Sequence, residues 1–122
     1  MWIARQGMKQ PEPQTVAQEG RVTLGGDPAA VYLDGERREL PIFGPGGYVW
    51  RPEQDEQVLV LKMGNAGEEQ CIFAQRCGEE SDLKQGEILI RTRNTAIHLH
   101  NNGIIDLTGI VRINGKLVMT ME

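Results

Sequence analysis

From Glu87 to Glu122 the chain reads EILIRTRNTAIHLHNNGIIDLTGIVRINGKLVMTME, a run of β-branched and leucine alternation cut by NNG, TG and NG corners. This pattern constrains the fold more than any other feature. Two-residue alternation fits strands, Asn-Gly and Thr-Gly supply the φ > 0 positions that sharp corners need, and no stretch keeps a helical 3.6-residue period. The segment contains no aromatic residue, and its strands are too short to enclose a core of their own. Short strands with recurring glycine corners are what a β-helix or prism requires, in which each strand covers one face against copies of itself. The segment therefore predicts self-association, and three chains around an axis are the simplest closed arrangement.

The preceding stretch has a different texture. RVTLGG, AVYLDGERRELPIF, YVWRPEQDEQVLVLKMG and EEQCIFAQRC hold about five strand-like runs, with LDGE as an Asp-Gly hairpin signal and GPGG as an irregular turn. Five antiparallel strands over residues 20–80 predict a small barrel of the OB or SH3-like type. Val58 and Val60 alternate with Leu59 and Leu61, so this run is expected to be covered on both faces, as a central strand. The loop RPEQDEQ before it is acidic and marked by proline, hence a solvated connection. The polar, glycine-bounded GEESDLKQG at 78–86 separates the barrel from the prism, expected over 81–122. Residues 1–19, rich in Gln, Pro and Glu, read as an extended arm in which Trp2, Ile3 and Met8 are too few for a core. The fold class is all-β.

Fifteen glycines and six prolines against six aromatic residues agree with that class, and a net charge of -4 offers no general attraction to phosphate backbones. Nucleic acid is accordingly not an expected partner, although Tyr48, Trp50 and Arg51 have the residue types of a stacking surface. GPGGYVW lacks the Gly-Lys-Ser/Thr end of a phosphate loop. The opening residues hold no apolar stretch of signal-peptide length, which predicts synthesis and retention in the cytoplasm until assembly. Cys71 and Cys77 are read as reduced thiols on one face of one strand, too far apart to pair without a bend.

Both histidines of the chain, His98 and His100, lie in TAIHLHNNG. On one strand, residues i and i+2 point to the same face about 6.6 Å apart, so both imidazoles can lean onto one ion. If residues 88–100 form an unbroken strand, the histidines share a face with Ile88, Ile90, Thr92 and Ala96, opposite Glu87, Arg91 and Arg93. If RTRNT is a corner, the parity resets: Ile97 and Leu99 become the inward pair, matching Ile105 with Leu107 and Val111 with Ile113, and the histidines face water. An H-x-H strand also opens the metal sites of cupin-type enzymes, but those need a glutamate soon after the pair and a third histidine. Here NNGII follows, the chain has no third histidine, and Asp106 reads as a turn-side charge. No paired-carboxylate or Cys-His spacing suggests catalysis, so an enzyme is not expected.

ELPIFGPGGYVWRPEQDEQVLVLKMG resembles the barrel stretch of the baseplate assembly protein V family, and GEILIRTRNTAIHLHNNGIIDLTGIVRING resembles its β-helical repeat with an Asn-Gly corner. The resemblance spans roughly residues 18–122, and the second stretch is the more specific. It implies a homotrimeric central spike of a contractile phage tail or related injection machine. Such a spike is a virion or tail-particle protein, docked by its barrel on the tail hub and baseplate, with a β tip pointed at the target cell envelope. In some members an H-x-H pair binds one iron ion through six histidines, two from each chain; the matching residues here are His98 and His100, implying one iron per trimer. Six nitrogens fill an octahedral shell and point away from zinc, whose structural sites prefer four ligands. Many members carry a longer β-helix, whereas about 22 residues follow the pair here. The alternative from the residues themselves is a small metal-binding β-barrel enzyme or a single-chain OB binding module.

Overall fold

The computed structural model describes residues 16–64, 69–79 and 82–119. It is all-β, with antiparallel sheets of five, three and two strands and no helix among the described residues. The chain divides into two compact units, Met1–Cys77 and Gly78–Glu122.

The first unit is built from β1 (Ala17–Leu24), β2 (Ala29–Tyr32), β3 (Glu36–Leu40), β4 (Gln57–Met63) and β5 (Glu69–Gln75), in the sheet order β3-β2-β1-β4-β5. The Asp-Gly signal sits at the β2–β3 hairpin, where Tyr32 pairs with Glu36 and the Leu33 N–H donates to the Gly35 carbonyl at 3.0 Å. Ala17, Gln18 and Glu19, within the expected arm, belong to β1 and pair with Leu61, Val60 and Leu59. Trp2, Ile3 and Met8 lie outside the described residues.

Alternation along β1 and β4 directs one face into a core of Val22, Ala29, Val31, Leu40, Val58, Val60 and Ile72, with Leu33, Ile42 and Trp50 packed against it. Gly20 lies in β1 where Val31 and Leu33 close over the backbone, and a Cβ there would overlap both side chains. Val58 and Val60 are buried, whereas Leu59 is 37% exposed. The strand is thus covered on one face, because the five-stranded sheet has no second layer over Leu59 among the described residues. A register shift between Leu59 and Val60 leaves Phe73 as an extra residue in β5, half-exposed. That bulge resets the strand's parity: Cys71 is buried, Cys77 lies beyond the strand end and is exposed, and both are free thiols.

The expected barrel is not closed by a continuous ladder. β3 and β5 are the sheet's edges; no ladder joins them, and the backbone link between the two sides lies in the segment after β3. There Ile42 forms a parallel bridge to Ile72, with the Ile72 N–H donating to the Pro41 carbonyl at 2.9 Å and the Phe43 N–H donating to the Ile72 carbonyl at 2.8 Å. The bridge stops there for a local reason. Pro41 has no N–H to give, and the chain turns away at Pro45–Tyr48, where Gly47 adopts φ +85. Trp50 ties this excursion back by donating its indole N–H to the Phe43 carbonyl at 2.9 Å.

The second unit holds the antiparallel sheet β6-β7-β8, made of β6 (Ile88–Arg91), β7 (Ala96–Leu99) and β8 (Ile105–Thr108), and the hairpin of β9 (Arg112–Ile113) and β10 (Lys116–Leu117). Asn114 and Gly115 turn that hairpin with φ of 50 and 80, the two positive φ values that an Asn-Gly corner supplies. RTRNT is a corner: the Thr92 N–H donates to the Thr95 carbonyl at 2.9 Å, and the two hydroxyls lie 2.6 Å apart. Ile88 therefore faces Leu99, and Ile90 faces Ile97, which in turn faces Leu107. One face of the sheet consists of Ile88, Ile90, Ile97, Leu99, Ile105 and Leu107. Five of these are 41–64% exposed, and among the described residues every fully buried hydrophobic side chain lies in the first unit.

Candidate metal centre

The corner at Thr92–Thr95 also decides where the histidines point. Leu89 pairs with His98 across β6 and β7, and His98 with Asp106 across β7 and β8. Directly opposed residues in an antiparallel pair share a face, so His98, His100 and Asp106 lie on the side opposite the six apolar residues. Continuing the register by two pairs beyond Leu89–His98, past Ile88–Leu99, brings Glu87 opposite His100 on that same side. Of the two sequence-level alternatives, the parity reset by a corner is the one observed.

Glu87 is the centre of the cluster. Its Oε1 lies 3.2 Å from His98 Nε2 and its Oε2 lies 3.6 Å from His100 Nδ1. The backbone N–H of Lys84 donates to Oε1 at 3.0 Å, and that of Asn101 donates to Oε2 at 3.0 Å. These two donors, with a hydrogen bond and the charge of His98 behind them, outweigh desolvation and hold the Glu87 carboxyl down at about 2. Its side chain is only 3% exposed, so the loop before β6 and the corner after β7 seal the carboxylate from water while fixing its charge. Asn101 adds a second tie through its side-chain amide, which donates to the Gln85 carbonyl at 3.1 Å.

The imidazoles stack on one another, with centroids 3.8 Å apart and planes 24° from parallel. Asp106 Oδ2 lies 2.6 Å from His100 Nε2, which makes this carboxylate the partner of His100 rather than a free turn-side charge, although its side chain is 62% exposed. One ligand atom from each of Glu87, His98 and His100 lies within 4.8 Å of the others, a set able to hold a metal ion. The histidine pair was legible in the sequence; its carboxylate was not. A cupin-like pattern would place glutamate after the pair, whereas Glu87 precedes it by eleven residues and is delivered across a hairpin. The signal that could have found it is the register itself: a corner centred between Arg93 and Asn94 pairs residue 87 with residue 100.

Tyr48, Trp50 and Arg51 do not form a stacking surface. Trp50 packs on the core and is spent on the Phe43 carbonyl, while Tyr48 is exposed in the Pro45–Tyr48 turn. Compared with known proteins, the chain matches no family model and no curated protein.

Proposed function

We propose that this protein is a structural, non-catalytic homotrimer, the central spike of a contractile phage tail or related injection machine. Its first unit is the docking element for the tail hub and baseplate, and its second unit is the β tip directed at the target envelope. In this reading the protein is assembled in the bacterial cytoplasm and carried in the finished particle. The observation that carries the proposal is the uncovered face of Ile88, Ile90, Ile97, Leu99, Ile105 and Leu107. Covering such half-exposed side chains yields on the order of 1 kcal/mol apiece, enough in three chains to outweigh the cost of association. Three such sheets, apolar face inward, make a triangular prism whose interlocked strands transmit thrust along the axis.

The first unit supports the same reading. Its ring order β1-β2-β3-β5-β4, completed by the parallel Ile42–Ile72 bridge, follows an OB-like path, and that bridge is where such a barrel would close. The metal expectation changes in detail. A prism closed by the apolar face carries His98 and His100 on its outside, so six histidines around one axial iron would require turning the six apolar side chains outward.

A second reading, a small metalloenzyme, draws on one observation: Glu87 supplies the carboxylate that completes two histidines and one carboxylate. Sedimentation equilibrium of the purified protein separates the two. The spike predicts three chains of 13.6 kDa per particle. A monomer at all concentrations contradicts the spike and favours the enzyme, and a dimer contradicts the prism.

A further inference from the structure

Two acceptors face each other at the second unit's polar face. The 2.6 Å contact between His100 Nε2 and Asp106 Oδ2 needs a proton, which the imidazole supplies, because Asp106 is a carboxylate. With the proton on Nε2, the neutral ring turns the lone pair of Nδ1 towards Glu87 Oε2, 3.6 Å away and negatively charged. His98 Nε2 approaches the other oxygen of the same carboxylate at 3.2 Å. A positive charge between the rings and Glu87 satisfies all of these atoms. A single cation serves both rings at once.

From this geometry we propose that each chain binds one divalent transition ion of the zinc class through His98 Nε2, His100 Nδ1 and Glu87, with Asp106 as the positioning residue of His100. One ligand atom from each of the three residues already lies within 4.8 Å of the others, and an ion about 2.0–2.1 Å from each would draw them to roughly 3.3–3.4 Å by turning the two stacked rings towards Glu87. Each Glu87 oxygen accepts one backbone N–H and keeps a lone pair for the ion, so the carboxylate is anchored before the ion arrives. Asp106 gripping Nε2–H of His100 is the carboxylate–histidine arrangement that fixes tautomer and ring orientation at metal sites. The donor set of two nitrogens and one oxygen leaves the fourth position to water.

The ion would fasten the chain before β6 to the end of β7, at an edge where the apolar face contributes nothing. The site is complete within one chain, so it does not depend on the trimer. Its stoichiometry is one ion per chain, three for every three chains, whereas an axial six-histidine centre has one ion per three chains.

The test is native mass spectrometry and elemental analysis of the full-length protein after incubation with zinc chloride and dialysis, with chain number read in the same spectra. The proposal expects one zinc per chain, lost in both His98→Ala and Glu87→Gln. It expects zinc held about 10–100-fold more weakly in Asp106→Asn, whose exposed side chain is replaced without loss of volume. One ion per three chains, retained in Glu87→Gln, would overturn it in favour of an axial centre. Failure of the wild-type protein to retain zinc would overturn it outright, and unchanged affinity in Asp106→Asn would remove Asp106 from the assignment.

Discussion

The two units solve the same problem with opposite means. The first encloses its apolar residues within one chain: Val22, Val31, Val58, Val60 and Ile72 are essentially inaccessible to water. The second spends a comparable number of branched side chains on a face left largely exposed among the described residues. Both follow the same two-residue alternation, so alternation alone does not separate a self-sufficient sheet from a dependent one. The difference lies in what crosses back over the sheet. In the first unit the segment Pro41–Trp50 returns to Ile72 and brings Ile42 and Trp50 onto the core. In the second, Gly109–Arg112 runs beside Ile97 and Leu107, but no described segment buries them. On the proposed trimer, copies of the chain supply the layer that this small sheet lacks.

The comparison breaks most sharply under charge. The double substitution Ile97→Asp/Leu107→Asp is expected to reduce the particle to single chains in analytical ultracentrifugation while the first unit keeps its thermal transition. Loss of both together would mean that the units are not separable in stability. Next in size is Ile72→Ala, which opens a cavity in the enclosed core and is expected to lower the first unit's stability by about 2–5 kcal/mol in urea unfolding. The association measured by ultracentrifugation should survive it.

Trp50→Phe removes the indole donor to the Phe43 carbonyl while keeping an aromatic ring on the core. The expected loss is about 0.5–1.5 kcal/mol in the same urea titration. In the second unit the corresponding polar anchor is Glu87. Its carboxyl, with an ordinary value of 4.5, is held at about 2 in the fold, so its contribution is complete above pH 4.5 and is lost as pH falls towards 2. Thermal melting of metal-free protein should therefore show a drop over that window that is flattened in Glu87→Gln.

The smallest contrast concerns the thiols. Burial pushes the Cys71 thiol up and seals it, while Cys77 is exposed. Under native conditions iodoacetamide should label Cys77 and leave Cys71 unlabelled, as read by peptide mass mapping.

Much of this architecture was legible from residue types. The five strands of the first unit, the Asp-Gly hairpin and the Asn-Gly corners each carry a local signal, because φ > 0 and two-residue alternation are demands on single positions. Parity was not legible, since one extra residue inverts it. The bulge at Phe73 inverts the parity of β5 between Ile72 and Ala74, and the corner at Thr92–Thr95 carries His98 and His100 away from Ile88 and Ile90. Leu59 shows a related limit: its exposure depends on whether a second layer exists, which alternation within β4 does not encode. Glu87 was hidden for the same reason. Its partnership with the histidines is a property of the register between two strands rather than of any short motif.

The claim that one unit is complete and the other depends on copies of itself is tested most directly by amide hydrogen exchange at a series of protein concentrations. The account predicts that protection in Ile88–Arg91, Ala96–Leu99 and Ile105–Thr108 falls as the protein is diluted below its association range, while protection in Ala17–Leu24 and Gln57–Met63 stays constant. Equal, concentration-independent protection in both units of a single-chain species would contradict it.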